Sequence, residues 1–286
     1  MTTAAACHDR MQCMEVWGGN TSTSRSVSTP GLEVRVHSRP HADASGGGDV
    51  HYLSSCASGR ITRLLLADVS GHGEGVSRLA VSLRDLMREN VNLIDHTRFV
   101  REMNRQFSES LKTDRFATAI VCSYFSPKQS LQICNAGHPA PLLYRAGEGD
   151  WTYPAPPADT DESSEPADFP LGVLPAAEYT RLETRLTTGD MLLCFSDAFT
   201  ESVDAAGRQL GSAGLLEVIR QIDAATPEAI VSELRDRLKH ADATNLDQDD
   251  ATVILVRAVD STTTLSDNLK APLRLLRPVR DRTTLA

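Results

Sequence analysis

The chain has 286 residues, 41% hydrophobic and 23% charged, with Lys+Arg 29 against Asp+Glu 38 and a formal net charge of -9. That composition suits a globular protein with one large domain and tails, and its acidic balance argues against a general nucleic-acid-binding surface. No apolar run is long enough to span a bilayer and the first residues lack the apolar core of a signal peptide, so a cytoplasmic protein is expected.

Residues 1–30 include the Ser/Thr-rich stretch "NTSTSRSVSTP" and are expected to form a flexible leader, followed by a domain at 31–259 and a C-terminal tail at 260–286. From "GLEVRVHSRP" the pattern alternates as a strand does. Residues 50–55 and 61–69 then read as a hairpin turning at Ala57-Ser58-Gly59. Asp49 precedes the first of these strands and Asp68 closes the second, so an antiparallel pairing sets two carboxylates at one rim of a sheet.

Val76, Leu79, Ala80, Leu83, Leu86, Met87, Val91 and Ile94 keep helical spacing, and Phe99, Val100, Met103, Phe107 and Leu111 fit a second helix. Strands return at "FATAIVCSYF", "LQICNAG" and "APLLYR". The stretch "PAPPADTDESSEPADFP" has no periodicity and reads as a loop. Thr188-Gly189-Asp190 reads as a hairpin turn into the apolar run 191–195, which stops at Ser196-Asp197. Residues 215–222 and 227–238 are expected to be helical, the latter with Thr226 as N-cap and Pro227 in the first turn. A strong strand at 252–256 follows Asp249-Asp250. The six cysteines form no CxxC pair and read mainly as buried reduced thiols.

Asp49, Asp68, Asp197 and either Asp249 or Asp250 thus each stand where an apolar β-run meets a turn. Four carboxylates cannot converge and stay ionised without positive charge between them. Divalent cations would supply it, and an all-oxygen set favours Mg²⁺ or Mn²⁺ over zinc. Gly46-Gly47-Gly48 and Gly71, Gly73 and Gly75 leave room for close backbone approach. Any one of these aspartates could instead be an ordinary turn former, and Asp43, Asp190 and Asp247 are further acids that spacing alone does not exclude.

Six motifs in order, "GGGD", "LLLADVSGHG", "CNAGHPAPLL", "PLGVLP", "TTGDMLLCFSDAFTE" and "DDATVILV", resemble the SpoIIE branch of metal-dependent serine/threonine protein phosphatases, the PPM or type 2C fold. The resemblance spans about residues 32–259. It implies an α+β, four-layer α-β-β-α sandwich of two antiparallel sheets flanked by helices, with two Mn²⁺ or Mg²⁺ ions at one end. Asp68 matches the carboxylate shared by both ions, with the Val69 carbonyl adding a ligand. Asp49 would serve one ion, Asp197 and Asp249 the other, and Asp250 would be a supporting turn cap.

The implied reaction is hydrolysis of phosphoserine or phosphothreonine by a metal-activated water, with His72 the candidate general acid and His138 a turn residue. By the same analogy the substrate is a phosphorylated protein in bacterial signalling, such as an anti-sigma-factor antagonist, and a regulatory protein partner is expected. Ala198 stands where this family usually has Gly, which would strain the turn if φ there were positive. The alternative of another class is a phosphoprotein-binding or scaffold module on the same fold.

Overall fold

The computed structural model describes residues 8–11, 14–56, 59–111, 115–154, 169–260 and 279–283. In chain order the elements are β1 (His8–Arg10), β2 (Glu15–Gly19), β3 (Thr23–Thr29), β4 (Leu32–Arg39), β5 (Asp49–Cys56), β6 (Ile61–Val69), α1 (Glu74–Glu89), α2 (His96–Ser110), β7 (Ala117–Phe125) and β8 (Ser130–Ala136). They continue with β9 (Leu142–Arg145), β10 (Asp150–Thr152), β11 (Leu182–Arg185), β12 (Met191–Phe195), α3 (Asp197–Glu201), α4 (Gly211–Arg220), α5 (Pro227–Ala241), β13 (Ala251–Ala258) and β14 (Arg280–Asp281).

The strands form two sheets, one in the order β1-β3-β4-β13-β12-β9-β10 and the other β11-β8-β7-β6-β5-β2-β14. Pairing is antiparallel except at two edges, where β1 joins β3 and β14 joins β2 in parallel. Three apolar layers hold the sandwich together. The first packs α1 and α2 on the second sheet through Leu65, Ala67, Val69, Leu83 and Phe107. The middle layer lies between the sheets and contains Leu53, Leu64, Leu66, Ile254 and Val256. The third packs α3, α4 and α5 on the first sheet through Phe199, Leu215, Leu234, Val253 and Leu255.

This layering explains why β6 and β13 read as unbroken apolar runs. Side chains alternate faces along a strand, and here both faces are covered, so Leu64 and Leu66 enter the middle layer while Leu65 and Ala67 enter the helix-covered one.

Three expectations are corrected. The described part of the supposed leader is not loose: β2 pairs with β5, β3 with β4, and the Trp17 ring packs against His51 at a tilt of 58° with centroids 5.0 Å apart. Within the tail, β14 is docked on β2, and Asp281 accepts from the buried Arg84 of α1 at 2.5 Å. Thr188-Gly189-Asp190 is not a hairpin turn, because β11 pairs with β8 in one sheet and β12 with β9 and β13 in the other; the turn carries the chain between layers. Thr226 takes the N-cap position of α5 with Pro227 in the first turn, as expected, although its side chain makes no cap hydrogen bond.

Cys56, Cys122, Cys134 and Cys194 are buried, as expected. Cys7, Cys13 and the acidic stretch 159–168 lie outside the described residues. Among the described residues no helix is long and apolar enough to cross a membrane.

Candidate metal centre

Strand parity builds the site. Asp49 shares its face of β5 with Leu53, and Asp68 shares its face of β6 with Leu64 and Leu66, so both point into the middle layer at its last rung. They are direct partners in the β5–β6 ladder, and Thr118 of β7 stands opposite Asp68 on the other side. From the facing sheet come Ser38 and Thr252, whose hydroxyls lie 2.8 Å apart. Where the layer is apolar further in, this final rung is polar throughout.

Asp197 opens α3, just after β12 ends, and Asp249 immediately precedes Asp250 and β13, so both arrive at the same end. The electrostatics reflect that proximity. Asp68 is pushed up to about 7 by burial and then by Asp197, Asp249, Asp250 and Glu201. Asp197 is pushed up to about 6 by burial, then Glu201 and Asp249. Burial, with Asp68 and Asp250 beside it, holds Asp49 well above the usual carboxylate range, although Ser196 and Thr252 hydrogen-bond to it. Asp49 is 3% exposed and its Oδ2 has no hydrogen-bond partner. A buried carboxylate oxygen without a donor is costly unless a cation meets it.

The donor set therefore fits a divalent cation. Gly48 fits too: a Cβ there would lie 2.9 Å from the Val69 carbonyl oxygen and 3.3 Å from Asp68 Oδ1, so only glycine lets the loop close on these groups. Among the described residues no three His, Cys, Asp or Glu side chains close on a common point. The rim is an open arc of mutually repelling acids.

Asp250 has a different position. Its carboxylate accepts from His41 N at 2.6 Å, Gly48 N at 2.5 Å and Asp49 N at 3.2 Å, and a Cβ on Gly47 would collide with it. It sits in a nest of backbone N–H groups and fastens the glycine loop. Asp249 is exposed and only accepts from Asp250 N at 2.7 Å.

Asn20, just after β2, grips the same loop: its Nδ2 donates to Gly47 O at 2.8 Å and to Ser77 Oγ of α1 at 2.8 Å, and its backbone carbonyl accepts from Gly47 N at 2.9 Å. His138 bridges the sheets. Burial lowers it to about 4, so it is neutral near pH 7 and has one N–H to give. Phe195 O, 3.1 Å from Nε2, can only accept, so Nε2 carries the proton and Nδ1 accepts from Thr118 Oγ1 at 2.8 Å. This strut joins the residue opposite Asp68 to the strand that delivers Asp197.

His72 is exposed in the turn after Val69. Ala198 lies in the first turn of α3 and is not among the positive-φ residues, so it causes no strain. Sequence reasoning missed Glu201, Asn20 and the His138 strut. Glu201 stands four residues after Asp197 in "DAFTE", one helical turn on, which is the signal that could have found it.

Comparisons with known proteins agree with this geometry. Residues 58–259 match the family model of stage II sporulation protein E (SpoIIE). The structure resembles the RsbU and RsbW domains of Rv1364c from Mycobacterium tuberculosis, with TM-score 0.66 and 22% identity over 89% of this chain and 70% of that one. It also resembles the PP2C phosphatase domain and regulatory fragment of SpoIIE from Bacillus subtilis, with TM-score 0.66 and 16% identity over 82% of this chain and 65% of that one. A third match is RsbX in complex with magnesium, with TM-score 0.59 and 17% identity over 82% of this chain and 100% of that one. At these identities the likenesses establish the fold, the PP2C-type α-β-β-α sandwich.

Proposed function

Because the chain belongs to the SpoIIE family, we propose that it is a metal-dependent protein serine/threonine phosphatase acting on a phosphorylated protein in bacterial signalling. One observation carries the reading: carboxylates from four separate segments line one rim closely enough to repel one another, and the most buried, Asp49, has an oxygen with no donor among the described residues. A purely structural cluster would pair such groups, as this chain does with acids elsewhere.

Asp49, Asp68, Asp197 and Asp249 are the residues that would hold two divalent ions, Mg²⁺ or Mn²⁺, with the Val69 carbonyl as a further ligand. When bound, such ions lower the pKa of water and neutralise a phosphoryl group. The chain's own residues do the rest. Asp250 and Asn20 fix the glycine loop that carries Asp49, and the His138 strut sets the spacing between the strands behind Asp68 and Asp197. His72, exposed in the turn after Val69, is the proposed donor of a proton to the leaving serine or threonine oxygen. An anti-sigma-factor antagonist is the substrate proposed by family analogy, in the cytoplasm and under the control of a regulatory protein.

The test is phosphate release from a phosphoserine peptide with and without Mn²⁺, for wild type, Asp68→Asn and Asp197→Asn. Metal-dependent release that both substitutions abolish is expected. The open arc of the acids favours a second reading, a phosphoprotein-binding module that does not turn over. Peptide binding with no release under any divalent ion would select it.

A further inference from the structure

A second feature adjoins the acid rim. Ser70, directly after Asp68-Val69, donates through its N–H to Phe116 O at 2.9 Å, and Phe116 N donates to Ser70 Oγ at 3.0 Å. The next residue, Ala117, exchanges two backbone hydrogen bonds with Leu171, at 2.9 and 2.8 Å. The segment Phe169-Pro170-Leu171-Gly172-Val173-Leu174 is thereby fixed beside the rim. Asn104 of α2 holds it from behind, donating to Leu174 O at 2.8 Å and accepting from Gly172 N at 2.9 Å. Gly172 has φ +91 and a Cβ there would lie 2.7 Å from Leu111 and 3.3 Å from the Arg115 carbonyl, so the loop has no slack to turn inward.

Despite this anchoring the segment presents apolar side chains outward. Phe116 is 38% exposed, Phe169 42%, Val173 50% and Leu174 45%. Among the described residues there are six exposed large hydrophobics, and these four stand at or within three residues of the one Ala117–Leu171 bridge. Apolar groups held rigidly in water beside a functional site mark a contact surface better than scattered exposed ones do.

Arg115 gives the surface its polarity. It is half-buried, and its guanidinium lies over the turn, where a Cβ on Gly71 would come within 3.0 Å of Nη1. One N–H donates to Ser70 O at 3.3 Å. Among the described residues it has no carboxylate partner, whereas Arg78, Arg101, Arg105, Arg145 and Arg220 each have one. A guanidinium has five donors in a fixed fork, so most of this one remains available.

We propose that Arg115 with Phe116, Phe169, Val173 and Leu174 is the docking surface for the protein substrate, receiving the residues that flank the phosphoserine: an apolar side chain on the patch and a carboxylate on Arg115. The proposal rests on the phosphatase reading for its substrate. The occupant follows from charge and place. Arg115 is a cation beside the rim with no carboxylate partner among the described residues, so it suits an acidic flanking residue, and the patch is continuous with the rim through Ser70.

The experiment compares two phosphoserine peptides, one flanked by Leu and Glu, the other by Ser and Lys, on wild type, Arg115→Gln and Val173→Ser. p-Nitrophenyl phosphate serves as a substrate that needs no flanking contact. Wild type is expected to favour the Leu/Glu peptide by about tenfold in kcat/KM, each variant to lose most of that preference through KM, and p-nitrophenyl phosphate turnover to stay unchanged. Equal kcat/KM for the two peptides overturns the surface, as does a parallel loss of p-nitrophenyl phosphate turnover in the variants.

Should wild type hydrolyse nothing, fluorescence anisotropy of the labelled peptides decides separately. Tighter binding of the Leu/Glu peptide that both variants lose upholds the surface while the phosphatase reading falls; indifferent binding sinks the surface as well. A dimer in sedimentation that dissolves on Val173→Ser would make the occupant a second copy and overturn the proposal.

Discussion

Strand β12 has an aspartate at each end, and the two are in opposite condition. Asp190, at the entry, is 3% exposed, yet its carboxylate accepts from Ala146 N, Thr187 N, Thr187 Oγ1 and Arg145. Burial pushes its pKa up, but those donors outweigh it and hold the group below the ordinary value. Asp197, at the exit, is pushed up to about 6 by burial and then by Glu201 and Asp249, which it faces. A desolvation cost and a strand boundary are common to both. What separates a structural acid from a candidate ligand is the sign of its company.

The largest effect expected from breaking this contrast is at the exit. Asp68→Asn and Asp197→Asn should each cut metal-dependent hydrolysis by at least about 100-fold, because a carboxylate aimed at the reaction centre is lost. The metal-free fold should be no less stable, since a repulsion is also removed. Phosphate release and thermal unfolding check the two halves, and a melting temperature that falls sharply would mean the acids are structural after all.

Next is the entry. Asp190→Ala leaves two backbone donors without their acceptor and takes the carboxylate from Arg145, which keeps Arg185 O and Thr184 Oγ1, and should cost about 2 kcal/mol in denaturant unfolding. Divalent-ion affinity measured by calorimetry should not change. If affinity falls as well, the two ends of the strand are not independent.

A third prediction concerns pH. Asp68 and Asp197 have folded pKa values raised to about 7 and about 6, above their unfolded value, so between roughly pH 4 and pH 7 the folded state binds more protons than the unfolded one. The stability of the metal-free protein should therefore fall as pH rises through that window, and Mg²⁺ should oppose the fall. His51 and His138, buried with values near 4, act with the opposite sign. The difference between wild-type and Asp68→Asn melting profiles isolates the rim, and a flat difference would mean Asp68 does not feel its neighbours.

The smallest effect is at Ala198. With a helical backbone it gains nothing from glycine, so Ala198→Gly should cost under about 1 kcal/mol and leave turnover unchanged. A large rise in activity would show that the alanine restrains the site.

Much of the rim was legible because strand parity is. Asp49 and Asp68 follow apolar residues of known face, and two antiparallel strands must bring their ends together. The four-layer fold followed from motif order. β3 escaped because its sequence, Thr23-Ser24-Arg25-Ser26-Val27-Ser28-Thr29, carries a single apolar residue, and its neighbours β1 and β4 supply the regularity. β2 escaped because it pairs with β5, a segment more than thirty residues away. Glu201 was missed because α3 spans five residues and has no periodicity to read. Whether Asp249 or Asp250 faces the rim depends on where the strand begins, and adjacent identical residues carry no information about that.

The docking of β14 on β2 has a mechanical consequence. The two short strands run parallel, joined by Arg280 N to Met14 O and Arg282 N to Val16 O at 2.8 Å each, while Arg84 of α1 donates to Gly18 O, Asp281 and Thr283. Tension pulling Glu15 and Asp281 apart along the chain would shear that seam instead of unzipping it, so its hydrogen bonds must yield together. Force-induced opening would begin with the release of Arg84, and the first element to lose its anchor would be α1, the helix whose Ser77 shares Asn20 with the glycine loop.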